Sequence, residues 1–182
     1  MARLLYSLVI YLATPVIVLR LLWRARRQPE YLQHLAERWA FAGLPAPARL
    51  IWVHAVSVGE TRAAQPLIEA LQAAWPEHRI LLTCMTPTGR AAGREVYGDR
   101  VLQAYLPYDY PDAVDRFFRH SSPSFGILME TEIWPNLLAA ARRRGVLVVL
   151  VNAGFSGGAV GVYGKIAARA EKAGCASAAM FP

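Results

Sequence analysis

The sequence has 182 residues, enough for one well-buried domain and too few for a large two-domain enzyme. Hydrophobic residues make up 55% of it and the mean hydropathy is +0.25, which excludes intrinsic disorder and exceeds what an ordinary soluble domain needs. The net charge of +7 lies mostly in residues 1–27, which contain five arginines and no acid. A nucleic-acid binder would spread its basic residues over a folded face, so no nucleic-acid partner is expected.

The first predicted element is an apolar helix with a basic end, within residues 1–27. Its apolar run, 4–19, is slightly short for a span of about 20 residues, and Pro15 interrupts it. A cleavable signal peptide is disfavoured because no small-x-small cleavage site follows and three arginines come soon after the run. We predict an uncleaved anchor that spans the membrane or lies in its interface, with the arginines on the cytoplasmic side. A helix packed on the domain itself is the alternative.

The remaining chain alternates short apolar runs with segments of helical periodicity. Residues 28–48 form a short helix, Tyr31 to Phe41, and a proline-rich linker. The predicted strands are 50–55, 79–84, 101–106, 125–129 and 146–151. The predicted helices between them are 60–75, 88–97, 111–120 and 134–144. The pattern predicts a single α/β domain over 49–153, a doubly wound parallel sheet, followed by a Gly/Ala-rich tail over 154–182.

Polar residues follow three of these strands. The segments are His54-Ala-Val-Ser57-Val-Gly59-Glu60, Met85-Thr86-Pro-Thr88-Gly89 and Glu130-Thr-Glu132-Ile-Trp134-Pro-Asn136. The carboxyl ends of parallel strands lie at one edge of the sheet, where α/β domains bind their ligands. We therefore expect the three segments to converge on one site.

Glu60 has two interpretations that the local pattern leaves open. The spacing Ser57-x-x-Glu60 is typical of a capping box, in which each side chain satisfies a backbone N–H of the other residue. The functional alternative is a general base at the mouth of the first βα turn, where the helix N-terminus stabilises a carboxylate and Gly59 lets a substrate approach closely.

The other two segments are equally ambiguous. Thr86, Thr88 and Gly89 fit an N-cap of the next helix, and they also fit a turn that binds a phosphate or sugar hydroxyls. Glu130 and Glu132 point to the same face of their strand end, so they need arginine partners, water or a hydroxyl-rich ligand. The Trp-Pro pair that follows is more typical of packing than of a stacking platform.

No cofactor or metal site is expected. The four histidines lack ligand spacing, and Cys84 and Cys175 form no CxxC and have no neighbouring histidine. The sequence contains neither a P-loop motif nor a GxGxxG after the first strand, which disfavours an unrelated nucleotide-binding Rossmann domain.

Taken together, these segments resemble one known family. The apolar basic N-terminus, the segments that begin at His54 and Met85, Tyr105-Leu-Pro-Tyr-Asp109 and Met129-Glu-Thr-Glu-Ile-Trp-Pro-Asn136 occur in the order and spacing of 3-deoxy-D-manno-octulosonic acid (Kdo) transferases of Gram-negative lipopolysaccharide synthesis. The resemblance covers residues 1–153 and continues more loosely to Lys165.

The resemblance implies the N-terminal, Rossmann-like lobe of a GT-B glycosyltransferase at the cytoplasmic face of the inner membrane, in contact with membrane lipids. This lobe would bind the lipid A precursor and a C-terminal lobe would bind CMP-Kdo, with inversion at the anomeric carbon and no metal in the active site. The motif implies that Glu60 is the general base. The residues expected to contact the acceptor are Ser57, Gly59, Thr86, Thr88, Gly89, Glu130 and Glu132.

Two departures from the family pattern qualify the expectation. The chain stops at Pro182, so we expect the donor lobe to be absent and this chain alone to lack activity. Gly154 and Gly158 stand where the family has arginine, and Ala159 where it has serine. The alternative is therefore a non-enzymatic, membrane-bound acceptor-binding module or a truncated, decayed transferase. The sequence does not predict an oligomeric state.

Overall fold

The computed structural model describes residues 2–43, 49–129 and 134–151. Its centre is a five-stranded parallel sheet in the order β3-β2-β1-β4-β5. The strands are β1 (Leu50–His54), β2 (Arg79–Cys84), β3 (Val101–Tyr105), β4 (Phe125–Met129) and β5 (Leu147–Val151). The predicted α/β fold with a Rossmann-like parallel sheet is confirmed, and each predicted strand differs from the observed one by at most one residue at an end.

The helices are α1 (Ala2–Leu12), α2 (Thr14–Ala25), α3 (Val58–Ala63), α4 (Gln65–Ala74), α5 (Pro87–Tyr97), α6 (Pro111–Ser121) and α7 (Pro135–Arg143). Helices cover both faces of this sheet, with α4 on one face and α6 and α7 on the other. Alternate residues of β1 point to opposite faces, so Ile51 packs with the cluster that contains Leu71 of α4, and Trp52 packs with the cluster that contains Phe118 of α6. Burial of each large apolar side chain stabilises the fold by about 1.5–3 kcal/mol.

Two predicted helices are divided in the structure. The segment predicted as one helix over 60–75 forms α3 and α4, and Pro66 lies in the first turn of α4, where a missing backbone N–H is tolerated. The helix predicted from Tyr31 to Phe41 is instead two short 3₁₀ turns, Pro29–Leu32 and Leu35–Trp39. They are separated at His34, whose left-handed backbone (φ 55°) cannot continue a right-handed helix.

The N-terminal helices α1 and α2 pack on the lobe by one side. Leu21 of α2 is buried, and the Ser7 hydroxyl of α1 donates to Asn136 Oδ1 at 3.0 Å. The Tyr11 hydroxyl also donates to Asp112 Oδ1 at 2.6 Å. The outward side is apolar, with nine large side chains exposed, at Leu4, Leu5, Leu8, Val9, Leu12, Val16, Leu19, Leu22 and Trp23.

Among the described residues, every helix taken by itself falls short of the length or the apolar content that a membrane span requires. Taken together, α1 and α2 do meet both criteria, but they meet at a bend of 50°. Among the alternatives from the sequence, contact with the lobe is observed, and the outward apolar side is compatible with a membrane interface.

Part of the predicted organisation lies outside the described residues. This applies to most of the proline-rich linker, to Glu130 and Glu132, and to the tail with Gly154, Gly158 and Ala159.

Candidate functional site

The site is built on the carboxyl ends of β1 and β2, which pair in parallel register with His54 opposite Thr83. The chain leaves β1 into α3 through Ser57, and it leaves β2 into α5 through Thr86, so both residues stand immediately before a helix. The two turns touch, because a Cβ added to Gly89 would lie 3.5 Å from the backbone carbon of Ser57. The predicted convergence of the first two polar segments is therefore observed.

Thr86 is the N-cap of α5. Its Oγ1 accepts the backbone N–H of Gly89 at 3.0 Å, which is the capping interpretation of this turn. The hydroxyl of Thr88 donates to the same oxygen at 3.3 Å, and Thr88 is exposed. A capping contact occupies one lone pair of Thr86 and leaves its hydroxyl hydrogen for another partner.

The Glu60 side chain turns back over the β1–α3 turn and is only 8% exposed. Its Oε2 accepts the backbone N–H of Val56 at 2.5 Å, and its Oε1 accepts the hydroxyl hydrogen of Ser57 at 2.9 Å. This differs from the capping box, in which the N–H of the cap residue itself would be bound and the Ser57 oxygen would accept a backbone N–H. The carboxylate is thus oriented by its own turn.

These two contacts leave room for a further donor at Glu60. An ionised carboxylate has about four acceptor positions, and two are occupied here. Gly59 is exposed, and a Cβ added there would meet nothing nearer than Ser57 Oγ at 4.0 Å. The space beside the Gly59 backbone is therefore open.

A cleft of about 440 Å³ lies between α2 and the carboxyl edge of the sheet. Val56 and Thr86 line it, so the cleft reaches the residue whose N–H holds Glu60, although Glu60 itself is not among the lining residues. Thr88 instead lines a separate, open cleft of about 510 Å³ beside Arg90. Of the predicted acceptor residues, the structure thus brings Ser57, Gly59, Thr86 and Gly89 together. Thr88 is joined to them by its hydrogen bond to Thr86 but faces the separate cleft.

His54 ends β1 directly behind this edge. Its Nδ1 is 2.9 Å from Thr83 Oγ1, and burial lowers the pKa of His54 to about 4, so the imidazole is neutral at neutral pH. The ring lies edge-on to Trp134, with 6.5 Å between the ring centroids. Burial also raises the pKa of the Cys84 thiol to about 12, which excludes a thiolate nucleophile at that position.

Two buried charged residues near the site were not predicted to have a role, although Asp109 belongs to a segment that carries the family resemblance. Arg38 is 2% exposed, and its guanidinium lies 4.0 Å from the centroid of the Tyr105 ring. Asp109 is fully buried, and its carboxylate accepts the backbone N–H groups of Asn136 (3.0 Å) and Leu137 (2.8 Å) at the start of α7. Both depend on contacts between segments far apart in the chain, and Asp109 accepts the N–H groups at the start of α7 only because the loop after β3 lies beside that helix.

The chain is similar to a set of known transferases. The family model described as 3-Deoxy-D-manno-octulosonic-acid transferase (kdotransferase) matches residues 33–180. A 3-deoxy-D-manno-octulosonic acid transferase of Bordetella pertussis is 48% identical over 166 residues, which are 86% of this chain and 38% of that protein. The transferase of the same name from Haemophilus influenzae is 38% identical over 173 residues, 94% of this chain and 40% of that protein.

A more distant relative is a probable mitochondrial 3-deoxy-D-manno-octulosonic acid transferase of Arabidopsis thaliana, 36% identical over 153 residues, 84% of this chain and 34% of that protein. The chain therefore spans about two fifths of the length of the curated relatives it matches. The family model covers most of the chain, and its match includes the whole sheet. This chain belongs to the 3-deoxy-D-manno-octulosonic acid transferase family.

Proposed function

We propose that this chain forms the acceptor-binding lobe of a glycosyltransferase that transfers Kdo from CMP-Kdo to a hydroxyl group of a lipid A precursor, with inversion at the anomeric carbon. Family membership supports the reaction class, and the two adjoining βα turns at the sheet edge supply a place for the acceptor. The CMP-Kdo site is proposed to lie on a second lobe, outside residues 1–182.

The observation that carries this proposal is the fixed orientation of Glu60 by Val56 and Ser57. In a single displacement, the acceptor hydroxyl oxygen forms the bond to the anomeric carbon while the bond to the CMP phosphate oxygen breaks and CMP leaves with its electron pair. The hydroxyl proton passes to the carboxylate of Glu60, which later releases it to water. General-base assistance of this kind contributes about 10²–10⁴-fold to a rate.

The remaining residues of the turns have positioning roles in this proposal. The Ser57 hydroxyl holds the carboxylate, Gly59 leaves the approach open, and Thr86 offers a hydroxyl hydrogen to the sugar. Glu130 and Glu132 are retained as acceptor contacts on the strength of the family motif alone. No metal or cofactor is assigned a role.

We also propose that the outward side of α1 and α2 lies in the cytoplasmic interface of the inner membrane. Among its exposed side chains, Leu4 is 70% and Leu12 is 71% accessible, and five arginines lie in the same segment. An apolar helix face with basic neighbours is typical of interfacial membrane binding. Such contact would bring the lobe to an acceptor whose acyl chains stay in the bilayer.

A chimera tests the function of the lobe. This chain replaces its matched region in the Bordetella pertussis relative, and Kdo transfer from labelled CMP-Kdo to a lipid A precursor is measured in membranes that lack another Kdo transferase. We expect transfer well above the background of membranes without the chimera. A folded, membrane-bound chimera that binds CMP-Kdo and transfers no Kdo would contradict the proposal.

A further inference from the structure

The cleft between α2 and the sheet edge is unusually basic. Three arginines from two elements line it, with Arg20 and Arg24 on α2 and Arg38 in the second 3₁₀ turn. None of the described residues that line it is acidic. A concave, positively charged surface of this kind attracts anions.

Arg38 is the most informative of these residues because it is buried. Its Nη1 donates to the carbonyl oxygen of Met85 at 3.2 Å, whereas Nε and Nη2 have no hydrogen-bond partner among residues 2–43, 49–129 and 134–151. The charge of Arg38 and a side-chain hydrogen bond with it both oppose the rise that burial causes in the pKa of the Tyr108 hydroxyl, so this hydroxyl lies beside the guanidinium. A buried guanidinium with two unused donors and no carboxylate partner among the described residues keeps an uncompensated charge, which is costly unless an anion binds there.

The nearest carboxylate along the chain does not neutralise Arg38. Glu37 binds Arg90 through both oxygens, and its Oε2 also accepts the backbone N–H of Tyr105 at 2.7 Å. The aromatic ring of Tyr105 makes cation–π contacts with both Arg38, at 4.0 Å, and Arg90, at 5.0 Å, and carries no countercharge. The positive charge of Arg38 is thus held over the cleft by packing rather than by an ion pair within the described residues.

Two further groups point to the same kind of ligand. Trp134 lines the cleft, and its buried indole N–H has no hydrogen-bond partner in the part of the chain that the structure describes. Arg24 is half-buried, and its side-chain contacts within the described residues are with Tyr31, a long hydrogen bond of 3.5 Å from Nη1 to the hydroxyl and a cation–π contact of 5.6 Å to the ring centroid. Several unused N–H donors, two of them on one planar guanidinium, suit the oxygens of a phosphate.

We propose that this cleft binds a lipid-borne phosphate monoester, with Arg38 and Trp134 at its base and Arg20 and Arg24 at its mouth. The mouth lies on α2, which also carries the exposed apolar side chains of the outward face, so a phosphate at a membrane surface is within reach. The inference rests on the proposed function in one respect, that the lipid is the acceptor. The phosphate would then fix the sugar of that lipid relative to the turn that holds Glu60.

Binding to the 182-residue chain in nanodiscs of zwitterionic lipid tests the cleft. The probes are a diphosphorylated, tetra-acylated glucosamine disaccharide and the same lipid without its phosphates. We expect the phosphorylated lipid to bind at least tenfold more tightly, about 1.4 kcal/mol. Arg38→Gln should abolish this preference and Arg38→Lys should restore part of it. The matched control Arg142→Gln, an exposed arginine at the far end of α7, should retain it.

Several results would overturn the inference. Equal binding of the two lipids by the wild-type chain would overturn it. A preference for the phosphorylated lipid that survives Arg38→Gln in a folded protein would also overturn it. If phosphatidic acid or inorganic phosphate competed as strongly as the disaccharide, the claim that the cleft binds the acceptor lipid would be wrong.

The chimera separates this inference from the proposed function. If the chimera transferred Kdo to the dephosphorylated acceptor with an unchanged KM, phosphate binding in the cleft would be contradicted and the proposed function would stand. If the chain preferred the phosphorylated lipid but the chimera transferred no Kdo, the proposed function would be contradicted and phosphate binding in the cleft would stand.

Discussion

Asp109 and Asn136 bind each other through both backbone and side chain. The Asn136 backbone N–H donates to Asp109 Oδ2 at 3.0 Å, and its side-chain Nδ2 donates to the Asp109 carbonyl oxygen at 2.7 Å. The Tyr6 hydroxyl of α1 lies beside the same carboxylate, and burial together with the Asp109 charge raises the pKa of Tyr6 to about 12. One buried aspartate therefore joins the loop after β3, the start of α7 and the N-terminal helices.

Asp109→Ala should destabilise the chain by about 1–3 kcal/mol, because it leaves buried N–H groups of Asn136 and Leu137 without an acceptor. The measurement is urea unfolding in mild detergent. The control is Asp99→Ala in the exposed turn after α5, which should change the free energy of unfolding by less than about 0.5 kcal/mol. Equal effects of the two substitutions would show that Asp109 does not hold these elements together.

Gly126→Ala should be destabilising because β4 passes directly against Trp52 of β1. A Cβ at this position would lie 2.4 Å from Trp52 Cε3, and the fully buried indole is held by its hydrogen bond to Thr83 Oγ1 at 2.8 Å. Overpacking of this kind costs about 1–3 kcal/mol.

The matched control for Gly126→Ala is Gly43→Ala, where an added Cβ meets nothing within 4 Å. Thermal unfolding of both variants provides the comparison. If Gly126→Ala unfolded at the same temperature as the control, the close approach of β4 to Trp52 would be wrong.

The pH dependence of stability should contain a contribution from His54. Its pKa is about 4 in the folded chain, below the usual 6.5, so the unfolded chain takes up the proton first as the pH falls. The contribution is full above pH 6.5 and is lost progressively between pH 6.5 and pH 4, by about 3 kcal/mol in total.

His54→Gln removes this titration and allows a direct check. The wild-type advantage over His54→Gln in free energy of unfolding should shrink by about 2 kcal/mol between pH 8 and pH 5. Urea unfolding of both proteins at the two pH values measures the difference. A constant difference would contradict the buried, neutral state of His54.

The sequence predicted the sheet well because its strands are nearly continuous apolar runs, as in β5, where Leu147–Val151 contains only valine and leucine. It did not place the break at Ala64, because the apolar spacing continues across α3 and α4. The pair Ser57 and Glu60 was found from its spacing, but which donors bind Glu60 depends on the path of the turn.

Arg38 could not be predicted in the same way. Its burial depends on Met85 and Tyr105, which come from other strand ends, and no local pattern marks such a residue. The cleft it lines is therefore a product of tertiary packing.

Membrane binding by the outward face of α1 and α2 is predicted to depend on exposed leucines and not on the fold of the lobe. The double substitution Leu4→Ser and Leu8→Ser should weaken binding to anionic vesicles tenfold or more and leave the unfolding midpoint unchanged. Leu150→Ser, at a similarly exposed leucine on β5, is the control and should retain binding. A sedimentation assay reads the bound fraction. Equal loss in both proteins would contradict the proposed membrane face.

The most direct measurement of the central claim is the single-turnover rate of Kdo transfer by the chimera with Glu60→Gln, beside the control Glu69→Gln on the exposed side of α4. If Glu60 takes the acceptor proton, its replacement lowers the rate by a factor of about 10² or more, while acceptor affinity changes little because glutamine keeps the shape of the side chain. Glu69→Gln should react at the parent rate. A chimera carrying Glu60→Gln that transfers Kdo as fast as its parent would contradict the account.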